Sequence, residues 1–150
     1  MQYKGFNNNL IVRGNAVYGN LGASGALTTI NNSSSAASGY PNTTVAQNAV
    51  SYGGEAGYNI GSFFHSKAPR IYPFIRYEYY NPMEKAEANT GLLADKRFQV
   101  SAVTAGLNYY ALPNLVIKAD YTHRSIGGGK YNDENLVSVG IAYIGWFIKK

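Results

Sequence analysis

The 150-residue sequence contains no cysteine, which excludes disulfide scaffolds, thiolate metal sites and cysteine nucleophiles. Charge is scarce as well. The 13 Lys and Arg and 8 Asp and Glu give a net charge of +5 but make up only 14% of the chain, against about 25% in average soluble proteins. Long apolar runs are missing, and nothing approaches the ~18 residues of a membrane-spanning helix. A barrel that crosses with strands escapes that test, because its strands are apolar only at every second position. What is plentiful is Gly, at 17 residues, and Tyr, at 14. Both favour strands and turns over helices, and the length is that of one domain or a piece of a larger one.

Period-two alternation is clearest near the end. From Leu136 to Phe147 the apolar Val137, Val139, Ile141, Tyr143 and Phe147 oppose the small Ser138, Gly140 and Ala142. From Leu115 to Ile126 the apolar Leu115, Ile117, Ala119 and Tyr121 oppose Lys118, Asp120, Thr122 and Arg124. The same separation runs over 50–64, where Glu55 and Asn59 lie on the polar side, and over 71–80, where Arg76 and Glu78 do. In the latter strand Pro73 falls on the apolar side and is expected near a short turn, since proline avoids central strand positions. Residues 98–110 alternate less cleanly. There Phe98 and Val100 fall on the wrong face, which a bulge near Ala102 or a rim position would explain. Residues 10–21 alternate weakly, with Arg13 and Asn15 on the polar side. Six strands are expected and no helix.

The connections 22–49, 65–70, 81–97, 111–114 and 127–135 run long, short, long, short, medium. In an up-and-down antiparallel sheet this order gathers the long loops on one rim and the tight turns on the other, as in outer-membrane barrels. A structureless loop as long as 22–49 is uncommon in a compact soluble domain. Strands of 10 to 15 residues suffice for the ~9 to 11 that a tilted strand needs to cross hydrocarbon. Aromatics gather at both strand ends like interfacial girdles: Phe63, Phe64, Tyr72, Tyr109, Tyr110, Trp146 and Phe147 at the short-turn rim, and Tyr18, Tyr52, Tyr79, Tyr80 and Tyr121 at the other. The expected fold is an all-β, antiparallel up-and-down transmembrane β-barrel, with long loops outside and short turns in the periplasm.

Six strands do not close a barrel, since bacterial single-chain barrels start at ~8 strands and an open edge leaves backbone groups unpaired in lipid. Gln2, Tyr3 and Lys4 follow Met1 without a basic and apolar leader. Residues 1–150 are therefore expected to form one barrel segment, the C-terminal part of a longer chain, with assembly of several chains as the rarer route to closure.

The series IRYEYYNPM at 75–83, GLNYYALPNLVIKADYTHR at 106–124, NDEN at 132–135 and VSVGIAYIGWF at 137–147 resembles the C-terminal strands of porin-like outer-membrane barrels related to the phosphate-selective O and P porins. The resemblance covers roughly residues 50–150. It implies a longer barrel of about sixteen to eighteen strands in the outer membrane of a Gram-negative bacterium, passing small solutes and often forming a homotrimer. Members selective for phosphate carry a ladder of Arg and Lys in the lumen. That ladder does not map onto this chain, whose lumen-facing set of Arg13, Arg76, Lys118 and Arg124 against Glu55, Glu78 and Asp120 is mixed in sign.

The expected function is thus passive passage of small, including anionic, solutes along a wall lined by Arg13, Glu55, Asn59, Arg76, Glu78, Lys118, Asp120, Thr122 and Arg124. Mirroring about the turn 65–70 puts Glu55 opposite 76–78, so pairing within the wall competes with solute contact for these charges. The expected partners are outer-membrane lipid and lipopolysaccharide. No enzyme activity, cofactor or metal is expected. Asp120 points to the opposite face from His123 and Ser125, which prevents a hydrolase triad, and His65 stands alone in a turn. Gly127, Gly128, Gly129 and Lys130 lack the spacing and following helix of a phosphate loop. Nucleic acid is not expected, because the basic residues form no stripe interleaved with aromatics. Two rivals remain: a barrel serving as surface anchor or adhesin through the loop 22–49, and a soluble β-sandwich binding module.

Overall fold

The structure is a computed structural model that describes residues 1–38, 44–64, 69–87 and 94–143. Seven strands form one antiparallel sheet in chain order: β1 (Gln2–Gly5), β2 (Leu10–Asn20), β3 (Ala46–Tyr58), β4 (Arg70–Ala86), β5 (Val100–Leu112), β6 (Leu115–Ile126) and β7 (Asp133–Tyr143). Each strand pairs with its neighbours in sequence, and β1 and β7 are the two edges of an open sheet. The all-β, antiparallel, up-and-down expectation holds at this level. A two-sheet sandwich does not form among the described residues, because all seven strands belong to the same sheet.

Several expectations need correction. The strand count is seven rather than six. The short β1 spans only four residues, too few to show alternation. It reaches β2 through a tight turn in which Phe6, Asn7 and Asn8 all take left-handed backbone, with φ of 50°, 54° and 66°. Asn adopts that region readily, whereas Phe does so at a steric cost.

A helix is present where none was expected. Residues Ser24–Ser38 form α1 inside the segment 22–49. Its sequence lacks an apolar stripe, and among its described side chains the positions it buries are Ser24, Gly25 and Thr28, while Leu27 and Ile30 are exposed. Hydrogen bonds rather than apolar packing hold it. Glu87, just past β4, accepts from the Gly25 amide at 2.5 Å and from the Ser24 hydroxyl at 3.2 Å. A carboxylate there satisfies amides that a helix start leaves unpaired and complements the helix dipole. The Thr28 hydroxyl donates to the Ser24 carbonyl at 2.8 Å and accepts from the Val45 amide at 2.9 Å.

Strand ends also shift. β4 continues through residues 81–86, which read as loop because of Pro82 and the charges after it, and register shifts near Ala46, Asn48 and Val50 of β3 accommodate them. β3 stops at Tyr58 and a 3₁₀ turn follows at Ile60–Phe63, so Phe63 and Phe64 leave the strand. No bulge forms at Ala102, where the register is continuous on both sides. Instead Phe98 closes a 3₁₀ turn at Lys96–Phe98, the rim alternative. β7 starts at Asp133, so most of NDEN is strand rather than loop. Pro73 is the fourth residue of β4, at the short-turn end as expected, and pairs with Leu107. His65, Trp146 and Phe147 lie outside the described residues.

Register converts the alternation into two continuous faces. One carries rows such as Val12, Ala56, Ile75, Ala105, Tyr121 and Val137, and Pro73, Leu107, Ala119 and Val139. This apolar face is open to the surroundings: Val137, Val139 and Ile141 are 75%, 77% and 72% exposed. The other face is polar and concave. Ile11 on β2 and Val116 on β6, four strands apart, line the same hollow. Crowding on this face follows: a Cβ on Gly106 would lie 2.6 Å from the Phe74 ring and 2.7 Å from Asp120 Cβ. Among the described residues the only buried apolar side chain is Val100, on the concave side.

Candidate functional site

The concave face is organised by one row that crosses five strands. Arg13 on β2, Glu55 on β3, Arg76 on β4, Thr104 on β5 and Thr122 on β6 stand side by side in register. Glu55 accepts from Arg13 Nη1 at 3.0 Å through one oxygen, and from Arg76 Nε at 2.9 Å and Nη2 at 2.5 Å through the other. The Glu55 side chain is 16% exposed, so the charge-assisted bonds are partly shielded from water. The Thr104 and Thr122 hydroxyls share a hydrogen bond of 2.8 Å. Glu55 thus falls opposite the segment 76–78 that mirroring about the turn indicates.

One row toward the long loops, Glu78, Ala102, Arg124 and Glu134 are aligned. Arg124 pairs with Glu134 at 2.8 Å and reaches across β5, over the small Ala102, to donate to the Tyr80 hydroxyl at 3.1 Å. On the other side of the central row, Asp120 pairs with Gly106 beneath the Phe74 ring, and Lys118 stands opposite Asn108.

Eight of the nine residues read from the sequence as wall residues, Arg13, Glu55, Arg76, Glu78, Lys118, Asp120, Thr122 and Arg124, lie on the same concave face. Asn59 lies beyond the end of β3, at the short-turn rim. It is 8% exposed and ties that rim together: its amide donates to Asn9 Oδ1 and its oxygen accepts from the Ile71 amide, both at 3.1 Å. Sequence reasoning missed Lys4, Arg70, Tyr72, Phe74, Thr104, Asn108 and Tyr110 on this face. Parity within 71–80 and 98–110 could have found most of them. Lys4 lies before the first strand read from the sequence, and Arg70 in a segment read as turn.

The convex face changes character along its height. Ile71, Tyr109, Ile117 and Ile141 align at the short-turn end. Toward the loops the rows become polar. The Tyr121 hydroxyl donates to Asn135 Oδ1 at 2.7 Å, His123 Nδ1 lies 3.0 Å from the same oxygen, and Ser125 Oγ donates to Asp133 at 2.9 Å. His123 and Ser125 are therefore engaged with β7, and Asp120 is on the opposite face. At the rim between β4 and β5, Arg97 donates to both Asp95 oxygens at 2.6–3.1 Å. These bonds, and one from the Arg97 amide, hold the Asp95 carboxyl below its ordinary value and raise the guanidinium of Arg97.

Comparison with protein-family models found no match, and comparisons with curated proteins and with solved structures found none either.

Proposed function

We propose that this sheet is part of the wall of an outer-membrane β-barrel of the porin-like kind, through which small solutes pass without catalysis. In this reading the convex face meets lipid and lipopolysaccharide and the concave polar face lines the passage. One observation carries it: among the described residues nothing covers an apolar face spanning the sheet, while three of the four ion pairs lie on its opposite face. Soluble monomers rarely leave contiguous apolar patches beyond a few hundred Å² uncovered. A membrane wall inverts the usual arrangement, with apolar side chains outward and polar ones inward.

Dimensions agree with this. Ile71 to Tyr79 on β4 is eight residue steps, roughly 27 Å along the strand at ~3.4 Å per step. A tilt of ~40° reduces that to about 20 Å, near the ~25 Å apolar band of such barrels. The polar end of the convex face, from Tyr121 to Asp133, fits the headgroup level. The docked helix α1 favours a second use of the same protein, in which the long-loop rim is a binding surface and the barrel its anchor.

The chain has no cysteine, so single cysteines report without background. After reconstitution into vesicles, cysteines at Ile117 and Ala119 should react only with a lipid-dissolved maleimide, and cysteines at Lys118 and Asp120 with an aqueous one. Equal reaction of both sets with the aqueous reagent would end the membrane reading. Stable conductance steps in a planar bilayer support passage, and their absence from an inserted protein favours the anchor.

A further inference from the structure

The two edges of the sheet are unequal. β1 covers β2 with four residues, none with a buried side chain, and is joined to it by the turn in which Phe6 takes left-handed backbone at a steric cost. Its register runs only from Arg13 to Leu10, lengthened one step where Met1 and Gly14 exchange bonds of 2.8 and 3.0 Å. Antiparallel ladders turn alternate residues to alternate sides. Ala16, Tyr18 and Asn20 therefore direct their amides and carbonyls the same way as Gly14, and no strand meets them among the described residues.

β7 fits that open side. Both strands have 11 residues, and in the meander β7 runs antiparallel to β2. The Ile126 amide donates to the Asn132 carbonyl at 2.7 Å, so even-numbered residues of β7 turn to β6 and odd-numbered ones outward. Odd residues of β7 and even residues of β2 share the convex face, which is the phase that antiparallel pairing of these two edges needs. With Leu10 opposite Tyr143 and Asn20 opposite Asp133, Val137 and Ile141 would meet Ala16 and Val12 on the convex face. Val17 and Leu136, apolar and exposed on the polar concave face, would stand opposite one another. Six strands are too few for one chain to close on itself, which leaves a second copy as the source of β7.

We propose that β1 is a displaceable cover, and that β7 of a second copy takes its place and pairs antiparallel along the whole of β2. The exchange gives up a four-residue ladder with a strained turn and forms one of 11 residues. Each copy then contributes β2 to β7, an even number of strands, so head-to-tail copies can close into a wholly antiparallel ring. Ring closure rests on the barrel reading above, whereas the pairing of β2 with β7 does not.

The test is light scattering on the whole chain refolded in detergent, beside the double variant Lys4→Cys, Ile11→Cys, whose cysteines stand opposite each other and lock β1 to β2 when oxidised. The unaltered chain is expected to form dimers or larger rings and the oxidised variant monomers. Reduction of the variant should restore assembly, which separates locking from misfolding. A crosslink reads the register. Val17→Cys and Leu136→Cys chains, mixed and oxidised, should couple about tenfold more than Val17→Cys with Val137→Cys, whose side chains face opposite ways. Monomers of the unaltered chain overturn the proposal and leave the edge of β2 to a different segment. Assembly of the locked variant, or coupling that ignores the face, overturns it as well. If the exchange is found while the cysteine labelling shows no lipid-facing strand, the pairing stands and the membrane ring falls.

Discussion

Arg76 stands directly across from Glu55 and directs two of its nitrogens at a single carboxylate oxygen, leaving the second oxygen for Arg13. One acid on β3 thereby couples three neighbouring strands in the middle of the sheet.

Replacing Glu55 by Gln removes the negative charge between two arginines. Bonds to charged groups contribute ~1.5–3 kcal/mol, and partial exposure of both arginines lowers this to ~1–2 kcal/mol. Urea unfolding of the detergent-refolded protein should show that loss, and Arg13→Gln alone should show less of it. An unchanged midpoint for Glu55→Gln would mean the triad does not brace the sheet.

The Gly106 position tolerates no Cβ without movement of both Phe74 and Asp120. Gly106→Ala should destabilise by ~1–3 kcal/mol, the usual cost of overpacking. Combining it with Phe74→Leu should recover at least half, and failure to recover would place the clash at Asp120.

Helix α1 depends on Glu87 for its first turn. Glu87→Gln should speed amide hydrogen exchange at Gly25 and its neighbours by roughly fivefold, since a capping contact is worth ~1 kcal/mol. Exchange in β5 and β6 should not change. Unaltered exchange in α1 would show that the Val45 and Thr28 bond alone holds it.

Asp95 titrates below its ordinary 3.8 because Arg97 donates to both its oxygens. A depressed carboxyl stabilises above its unfolded value, and that contribution is lost as pH falls through the lowered folded value. The rim contact should therefore be intact at neutral pH and break only below 3.8. An NMR titration should find the Asp95 midpoint below 3.8 in the native chain and near it in Arg97→Gln.

How much of this was legible in the sequence varies by element. β6 was readable to its ends, because each polar residue from Lys118 to Arg124 alternates with an apolar or neutral one. The Glu55–Arg76 pairing followed from the short turn between their strands. Helix α1 was not readable, because the face it buries is Ser24, Gly25 and Thr28 and its stability comes from Glu87, 62 residues from Gly25. Lys4 and Arg70 were missed for a different reason. The four residues of β1 give no period, and Arg70 is the first residue of β4.

The number of strands has a directional consequence. In a meander every odd strand runs the same way, so β1 and β7, the two free edges, are co-directional. Identical seven-stranded copies arranged about a common barrel axis would meet at parallel seams, which are slightly weaker per residue than antiparallel ones. A wholly antiparallel wall instead requires an odd number of strands between these edges, and its total is then even, as in bacterial single-chain barrels.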